Sequence, residues 1–121
     1  MERLYETYKE KVQFLLVYIR EAHPDSELYV EVDGKRELKK VAQATTLAER
    51  NETAHLCTVS LNLSIPTVVD KEDNKVNEAY AGWPDRMAVV GVDGKLAYYG
   101  KMGPSGFKPQ EVEAWLKTNV K

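Results

Sequence analysis

Residues 13–20 read QFLLVYIR and run directly into EAHPDSE at 21–27. The first stretch is apolar from Phe14 to Ile19 and includes the β-branched Val17 and Ile19. That is the composition of a parallel strand buried on both faces. The second is turn chemistry, with Pro24 and Asp25 breaking the pattern. A buried parallel strand ending at Glu21, Ala22, His23 and Pro24 decides the class. It predicts an α/β architecture whose chemistry gathers at the carboxyl ends of its strands.

Upstream, Leu4, Tyr5, Tyr8 and Val12 share one face of a helix predicted over 1–12. Downstream, LYVEV at 28–32 alternates, as a short edge strand or an extended loop would, and Asp33 with Gly34 makes a turn. A helix is predicted over about 36–55, and residues 56–64 read as its end or as loop. PTVV at 66–69 is a short strand. A second helix follows Asp73 or Asn74 as cap, with Val76, Ala79 and Tyr80 as inner face and Gly82 as stop. MAVVGV at 87–92 and KLAYY at 95–99 flank Asp93 and Gly94, a hairpin signal. The last helix opens at Pro109 with Glu111 and Glu113 in its first turn, and Val112, Trp115, Leu116 and Asn119 line one face. VDGK occurs at 32–35 and again at 92–95, read as two independent tight turns. Helices alternating with strands imply a parallel sheet, which the closing hairpin makes mixed.

A length of 121 residues fits a single domain spanning 1–121, and 43% apolar content supplies one core. The net charge of −2 lacks the dense cationic face that duplex nucleic acid requires. No run approaches the ~18 apolar residues of a membrane span. The amphipathic, mixed-charge MERLYETYKEK is not a signal peptide. Cys57 is the lone cysteine, so no internal disulfide forms, and a reducing, cytoplasmic location fits.

The element order is that of a thioredoxin-like fold with its first strand missing: a mixed central sheet with helices on both faces. Motifs narrow this further. VYIREAHP (17–24), PTVVDKEDNKVNEAY (66–80), PDR (84–86), DGKLAYYGKMGP (93–104) and GFKPQEVEAWL (106–116) together resemble the iodothyronine deiodinase family over nearly the whole chain. The resemblance implies a redox enzyme using selenocysteine, or cysteine in some bacterial relatives. Its reaction is reductive removal of iodine from a phenolic ring, or thiol-peroxidase-like chemistry. It implies no bound cofactor, with a thiol reductant as co-substrate and a small molecule as substrate. In that family the nucleophile follows the first strand, at the N-terminus of the first helix, and no residue here aligns with it. The expectation is that the nucleophile segment lies upstream of Met1, for instance behind an in-frame UGA codon. The absent strand would be central, between 14–19 and 87–92. Those two strands are therefore expected to pair directly, or with another chain in a homodimer. An open gap between them in an isolated chain would count against both.

The resemblance assigns His23 to the substrate site, with Glu21 orienting it or serving structurally. A second family histidine falls near Ala44, so that imidazole is absent. Where the family's GGRGP loop carries an arginine this chain has GKMGP. Met102 then takes the position, Lys101 supplies an adjacent charge without a planar bidentate donor, and Gly103 and Pro104 complete the pocket wall. Pro84 is expected to be cis and to abut the nucleophile, although Asp85 replaces the usual threonine after it. Arg86 matches the family's PER motif and is expected to form a salt bridge. Cys57 is a candidate resolving thiol or an inert buried cysteine; the family's usual cysteine position is Ile65 here. His55 and Cys57 lack further ligands, so no metal site is expected. Asp70, Glu72, Asp73 and Asn74 read as helix caps, not a calcium loop. Gly100, Gly103 and Gly106 read as a loop closing near the site, not a phosphate loop. Trp83, Tyr98 and Tyr99 are expected in the core or pocket wall. Two other functions compete with the reductase: a non-catalytic truncated or binding domain, and a peroxiredoxin-like peroxidase using Cys57, which needs that thiol exposed beside a cation.

Overall fold

The computed structural model describes residues 1–121. Its elements run α1 (Glu2–Tyr8), β1 (Leu16–Tyr18), β2 (Ser26–Val32), β3 (Lys35–Val41), α2 (Leu47–Ser60), β4 (Thr67–Val69), α3 (Lys75–Tyr80), β5 (Ala88–Val90), β6 (Leu96–Tyr99) and α4 (Pro109–Asn119). This is a mixed α/β chain, and β1 is indeed parallel: it pairs with β4 from Leu16 opposite Thr67 to Tyr18 opposite Val69. No helix is long and apolar enough to cross a membrane.

The single mixed central sheet is not formed. The six strands make three two-stranded sheets, β1 with β4, β2 with β3, and β5 with β6. No strand lies between β1 and β5 to carry ladder hydrogen bonds, and each is only three residues long. The expected direct pairing of these two strands is absent. Nothing in the strand pairing supports a homodimer either. Leu15, Val68 and Val90 stay exposed.

The helix expected over 36–55 is displaced. Residues 35–41 are instead β3, antiparallel to β2 from Val32 opposite Lys35 to Ser26 opposite Val41. The run KRELKK has helix-forming composition, but the turn at Asp33 and Gly34 folds it back onto β2, and pairing overrides propensity. The helix begins at Leu47, where Thr46 accepts from the Glu49 N–H and the Glu49 carboxylate accepts from the Thr46 N–H, a capping box. Both VDGK copies close hairpins, with Gly34 at φ 75° and Gly94 at φ 79°, a conformation that glycine adopts without strain.

The main apolar core is Leu4, Val112 and Leu116, joining α1 to α4, with Phe14, Met87, Val89 and Tyr98 packed against it. The inner face of α4 is thus the expected one, apart from Asn119, which is exposed. α1 ends four residues early, at Tyr8, yet Tyr8 and Val12 still pack on this core. In α3 the expected inner face is wrong: Val76, Ala79 and Tyr80 are exposed and Asn77 is buried. The left-handed residue ending α3 is Ala81, one before Gly82.

Candidate active site

The carboxyl end of β1 is held from two sides. On one, the Arg20 guanidinium lies 5.1 Å above the Trp83 ring, and Gly82 approaches Ile19. On the other, Gln43 holds the Glu21 backbone in both directions: Glu21 N–H donates to Gln43 Oε1 and Gln43 Nε2 donates to Glu21 O, each at 3.1 Å. The Glu21 carboxylate accepts from the Tyr18 hydroxyl at 2.7 Å and from the His23 backbone N–H at 3.4 Å. Burial, and then this carboxylate, push the Tyr18 hydroxyl well above the usual phenol range. Glu21 therefore shapes the turn that carries His23 and does not grip its imidazole, which is exposed.

The second wall is built from residues 83–86 and the glycine loop. The Trp83–Pro84 and Gly103–Pro104 peptides are both cis. Arg86 forms no salt bridge, contrary to the sequence expectation. Its Nε donates to Ala81 O at 2.8 Å and its Nη1 to Gly100 O at 2.6 Å, while the guanidinium stacks 4.7 Å from the Tyr99 ring. The Tyr99 hydroxyl in turn donates to Tyr80 O. A planar fork thus ties the end of α3 to the end of β6, which a lysine could not do.

Gly103 N–H donates to Asp85 O at 2.9 Å, and Gly106 N–H to Met102 O at 3.0 Å. Both glycines are buried. A side chain at 103 would run into the Asp85 carboxylate, and one at 106 would meet the Lys101 and Met102 backbone at 2.5 Å. The glycines serve close approach of chain segments, as loop closure requires. Asp85 Oδ1 is buried there without a hydrogen-bond partner. Lys101, Met102 and Pro104 project outward. Lys101 lines a cleft of about 150 Å³ with Tyr99, Gly100, Gly106, Lys108 and Glu111. A larger cleft of about 240 Å³ lies against Tyr80, Val90, Leu96 and Tyr99.

Of the sequence-predicted residues, Pro84, Arg86 and Gly103 come together directly, with Lys101, Met102 and Pro104 on the same loop. The Arg20–Trp83 stack links this wall to the strand end that bears Glu21 and His23. Cys57 is half-buried on α2, apart from the glycine loop but near enough to the β1 end to feel the charge of Glu21. Burial first, and then the charge of Glu21, push its thiol up. That keeps it protonated, the opposite of an activated nucleophile. Ala44 is half-buried between β3 and α2, and Ile65 is buried.

Three supporting residues surround the site, and of them only Arg50 escaped the sequence reading. Arg50 is buried and donates through Nη1 to Asp70 O at 2.9 Å and Lys71 O at 2.8 Å. Asp70 caps α3 by accepting from the N–H groups of Val76 and Asn77, at 3.1 and 2.8 Å. Glu72 accepts from Leu47 N–H at 2.6 Å at the start of α2. The acidic turn is therefore a capping device, as expected, but it serves two helices. The box formed by Thr46 and Glu49 was not read from the sequence, although its spacing is a local signal. The buried guanidinium of Arg50 and the stacking of Arg20 carry no local signal.

The family model for iodothyronine deiodinase matches residues 1–120. Among curated proteins, the type II iodothyronine deiodinase of Bos taurus is 36% identical over 126 residues, covering 97% of this chain and 44% of that protein. The thyroxine 5-deiodinase of Sparus aurata is 34% identical, covering 96% of this chain and 41% of its own length. The type I iodothyronine deiodinase of Xenopus laevis is 32% identical, with coverage of 91% and 41%. The chain thus spans less than half the length of these relatives.

Proposed function

The chain belongs to the iodothyronine deiodinase family, and from that premise we propose that it is the scaffold of a deiodinase-like, thiol- or selenol-dependent oxidoreductase. His23 stands at the reaction centre and the 100–107 loop forms the pocket wall. The observation that carries this reading is the continuous link from the end of β1, through the Arg20–Trp83 stack, to Asp85 and the glycine loop. It brings the EAHP, PDR and GKMGP segments to one place, though they lie far apart in sequence.

The overall reaction consumes an aryl iodide and two thiols and yields the aryl–hydrogen product, a disulfide and hydrogen iodide. Carbon is reduced and sulfur oxidised, with a selenol or thiol taking the iodine in between. The single thiol of this chain is poorly suited to that role, because burial and Glu21 keep it protonated. We therefore assign the nucleophile to a segment other than these 121 residues. A strand of that segment inserted between β1 and β5 would complete a thioredoxin-like sheet and cover Leu15, Val68 and Val90. With Ala44 and Met102 at two binding positions, the substrate is a halogenated phenol smaller than thyroid hormone. The same thiol environment disfavours a peroxidase based on Cys57, which needs an exposed thiol beside a cation.

Iodide release from an iodinated phenol with dithiothreitol tests this. The 121-residue chain and its C57S variant are expected to be inactive. A form lengthened by the upstream reading frame is expected to turn over, and His23→Asn to slow it by roughly 10²-fold or more, as removal of an acid–base group does. Turnover of a peroxide by the 121-residue chain that C57S abolishes would replace this reading with the peroxidase one.

A further inference from the structure

The hairpin of β2 and β3 divides its charge unevenly. β2 carries Glu27 and Glu31, whereas β3 carries Lys35, Arg36, Lys39 and Lys40 against the single carboxylate of Glu37. β2 is covered on one side only: Val30 is buried, α2 packs on the strand and Ser60 Oγ donates to Tyr29 O at 2.8 Å, whereas Glu27, Tyr29 and Glu31 are exposed. β3 is exposed from Lys35 to Lys40. None of its four cations forms an ion pair.

The bond from Ser60 fixes which backbone groups face outward. Tyr29 turns its carbonyl away from β3, so Tyr29 and its partner Leu38 are a non-hydrogen-bonded pair. With a period of two, Arg36, Leu38 and Lys40 also direct their N–H and C=O groups out of the hairpin. No hydrogen bond beyond the ladder reaches them. Their side chains share the Tyr29 face of the sheet, where the Arg36 guanidinium lies 4.4 Å from the Tyr29 ring. An added strand would thus meet Arg36, an apolar centre of Leu38 and Tyr29, and Lys40 in alternate positions, with Glu31 and Glu27 one strand further back, opposite the two cations.

We propose that β3 is a docking edge for an acidic extended peptide, which adds as a third strand with an apolar residue beside Leu38 and carboxylates beside Arg36 and Lys40. Backbone pairing supplies the attachment and the alternating side chains supply selectivity. Charge excludes a second copy of this chain as occupant. Antiparallel self-pairing about Leu38 sets Arg36 against Lys40 in both halves, and parallel in-register pairing sets each cation beside itself, both unfavourable. The lysines keep the edge from self-association while leaving it open to a strand of opposite sign.

The test titrates the 121-residue chain with three capped nine-residue peptides: alternating Glu and Val, alternating Lys and Val, and the acidic peptide with proline at every other position. Amide NMR shifts and hydrogen exchange are followed. The acidic peptide is expected to shift and protect the amides of Arg36, Leu38 and Lys40, with affinity falling as salt rises. The basic and proline peptides are expected not to. The double variant R36Q/K40Q, which sets no like charge against the facing Glu31 and Glu27, is expected to bind roughly tenfold more weakly, for two lost surface pairs. Leu38→Pro removes an outward N–H and leaves the β2–β3 ladder intact, so it should abolish protection while the other hairpin amides stay protected. Equal binding of the proline peptide, unchanged binding by L38P with its hairpin intact, or self-association at β3 without peptide would each overturn the proposal.

Discussion

The two halves of this molecule are held together by different physics. In the first, α1, α4 and the β5–β6 hairpin close on Leu4, Val112 and Leu116, an apolar cluster in which Leu116 is 1% exposed. In the second, β1, β4, α2 and α3 meet around Arg50, Asp70 and Asn77, three buried polar residues beside only Ile65 and the small Ala54 as buried apolar ones. Only 13 of the 121 residues are buried, so neither half has a deep reserve of packing. The difference teaches where each half is fragile. The apolar half depends on volume and shape, and tolerates changes that preserve them. The polar half depends on particular donors and acceptors, because a buried group that loses its partner forfeits its hydration as well.

The sharpest way to break the apolar half is Leu116→Ala. It should destabilise the chain by about 2–5 kcal/mol through lost transfer energy and a residual cavity, read as a shift of the urea midpoint. Arg50→Ala attacks the polar half. Loss of two charge-assisted bonds to the Asp70 and Lys71 carbonyls should cost about 2–4 kcal/mol. Unlike the leucine variant, it should first release amide protection in α3. If both variants loosen both halves to the same degree, the distinction fails.

Between the halves lies the pocket wall, and there one pair is testable as a cycle. Gly103→Ala forces a methyl into the Asp85 carboxylate and should cost about 1–3 kcal/mol, the range for overpacking. Adding Asp85→Ala should recover most of that loss, a coupling that independent sites would not show. A smaller effect is expected at the start of α2, where Thr46→Ala removes the cap and should cost about 1 kcal/mol.

The smallest expected effect is on pH dependence. Folding raises the Cys57 thiol, chiefly by burial and then by Glu21, and raises the Tyr18 hydroxyl in the same way. A group raised on folding contributes stability in full below its unfolded value and loses it as pH rises through the folded one. Stability should therefore be level through neutral pH and decline above about pH 8.5, the ordinary thiol value. Cys57→Ala should delay the onset toward the tyrosine range. In alkylation by iodoacetamide, Cys57 should react more slowly at neutral pH than a free thiol, and Glu21→Gln should narrow that gap.

The apolar half was the more readable one. Val112 and Leu116 on α4, Leu4 on α1, and the hairpin around Asp93 and Gly94 all follow from spacing and turn residues, because periodicity reports directly which face meets a core. The stretch QFLLVYIR announced the parallel strand for the same reason. The displaced α2 and the strand β3 show the limit. KRELKK has no intrinsic aversion to helix, and only pairing with β2 makes it a strand. The capping box at Thr46 and Glu49 is the local signal that marks the true helix start. Among the proposed site residues, the sequence singled out His23, Pro84 and the glycine loop. It assigned Arg86 to an ion pair, whereas its fork serves two backbone carbonyls. It gave no hint of Arg20, because stacking on Trp83 joins residues more than sixty positions apart.

The sequence alone determined that this is an α/β chain, that its strand before EAHP is parallel, that Asp93 and Gly94 close a hairpin, and that its motifs are those of a deiodinase relative. Local rules of spacing, turn geometry and motif suffice for each. Only the tertiary structure decided that the six strands form three separate pairs, that Arg50, Asp70 and Glu72 bind helix ends together, and that Cys57 is turned against Tyr18 and Glu21. Each of these depends on a partner distant in sequence. The energy of a buried polar group is set by what stands opposite it in space, which no local pattern records.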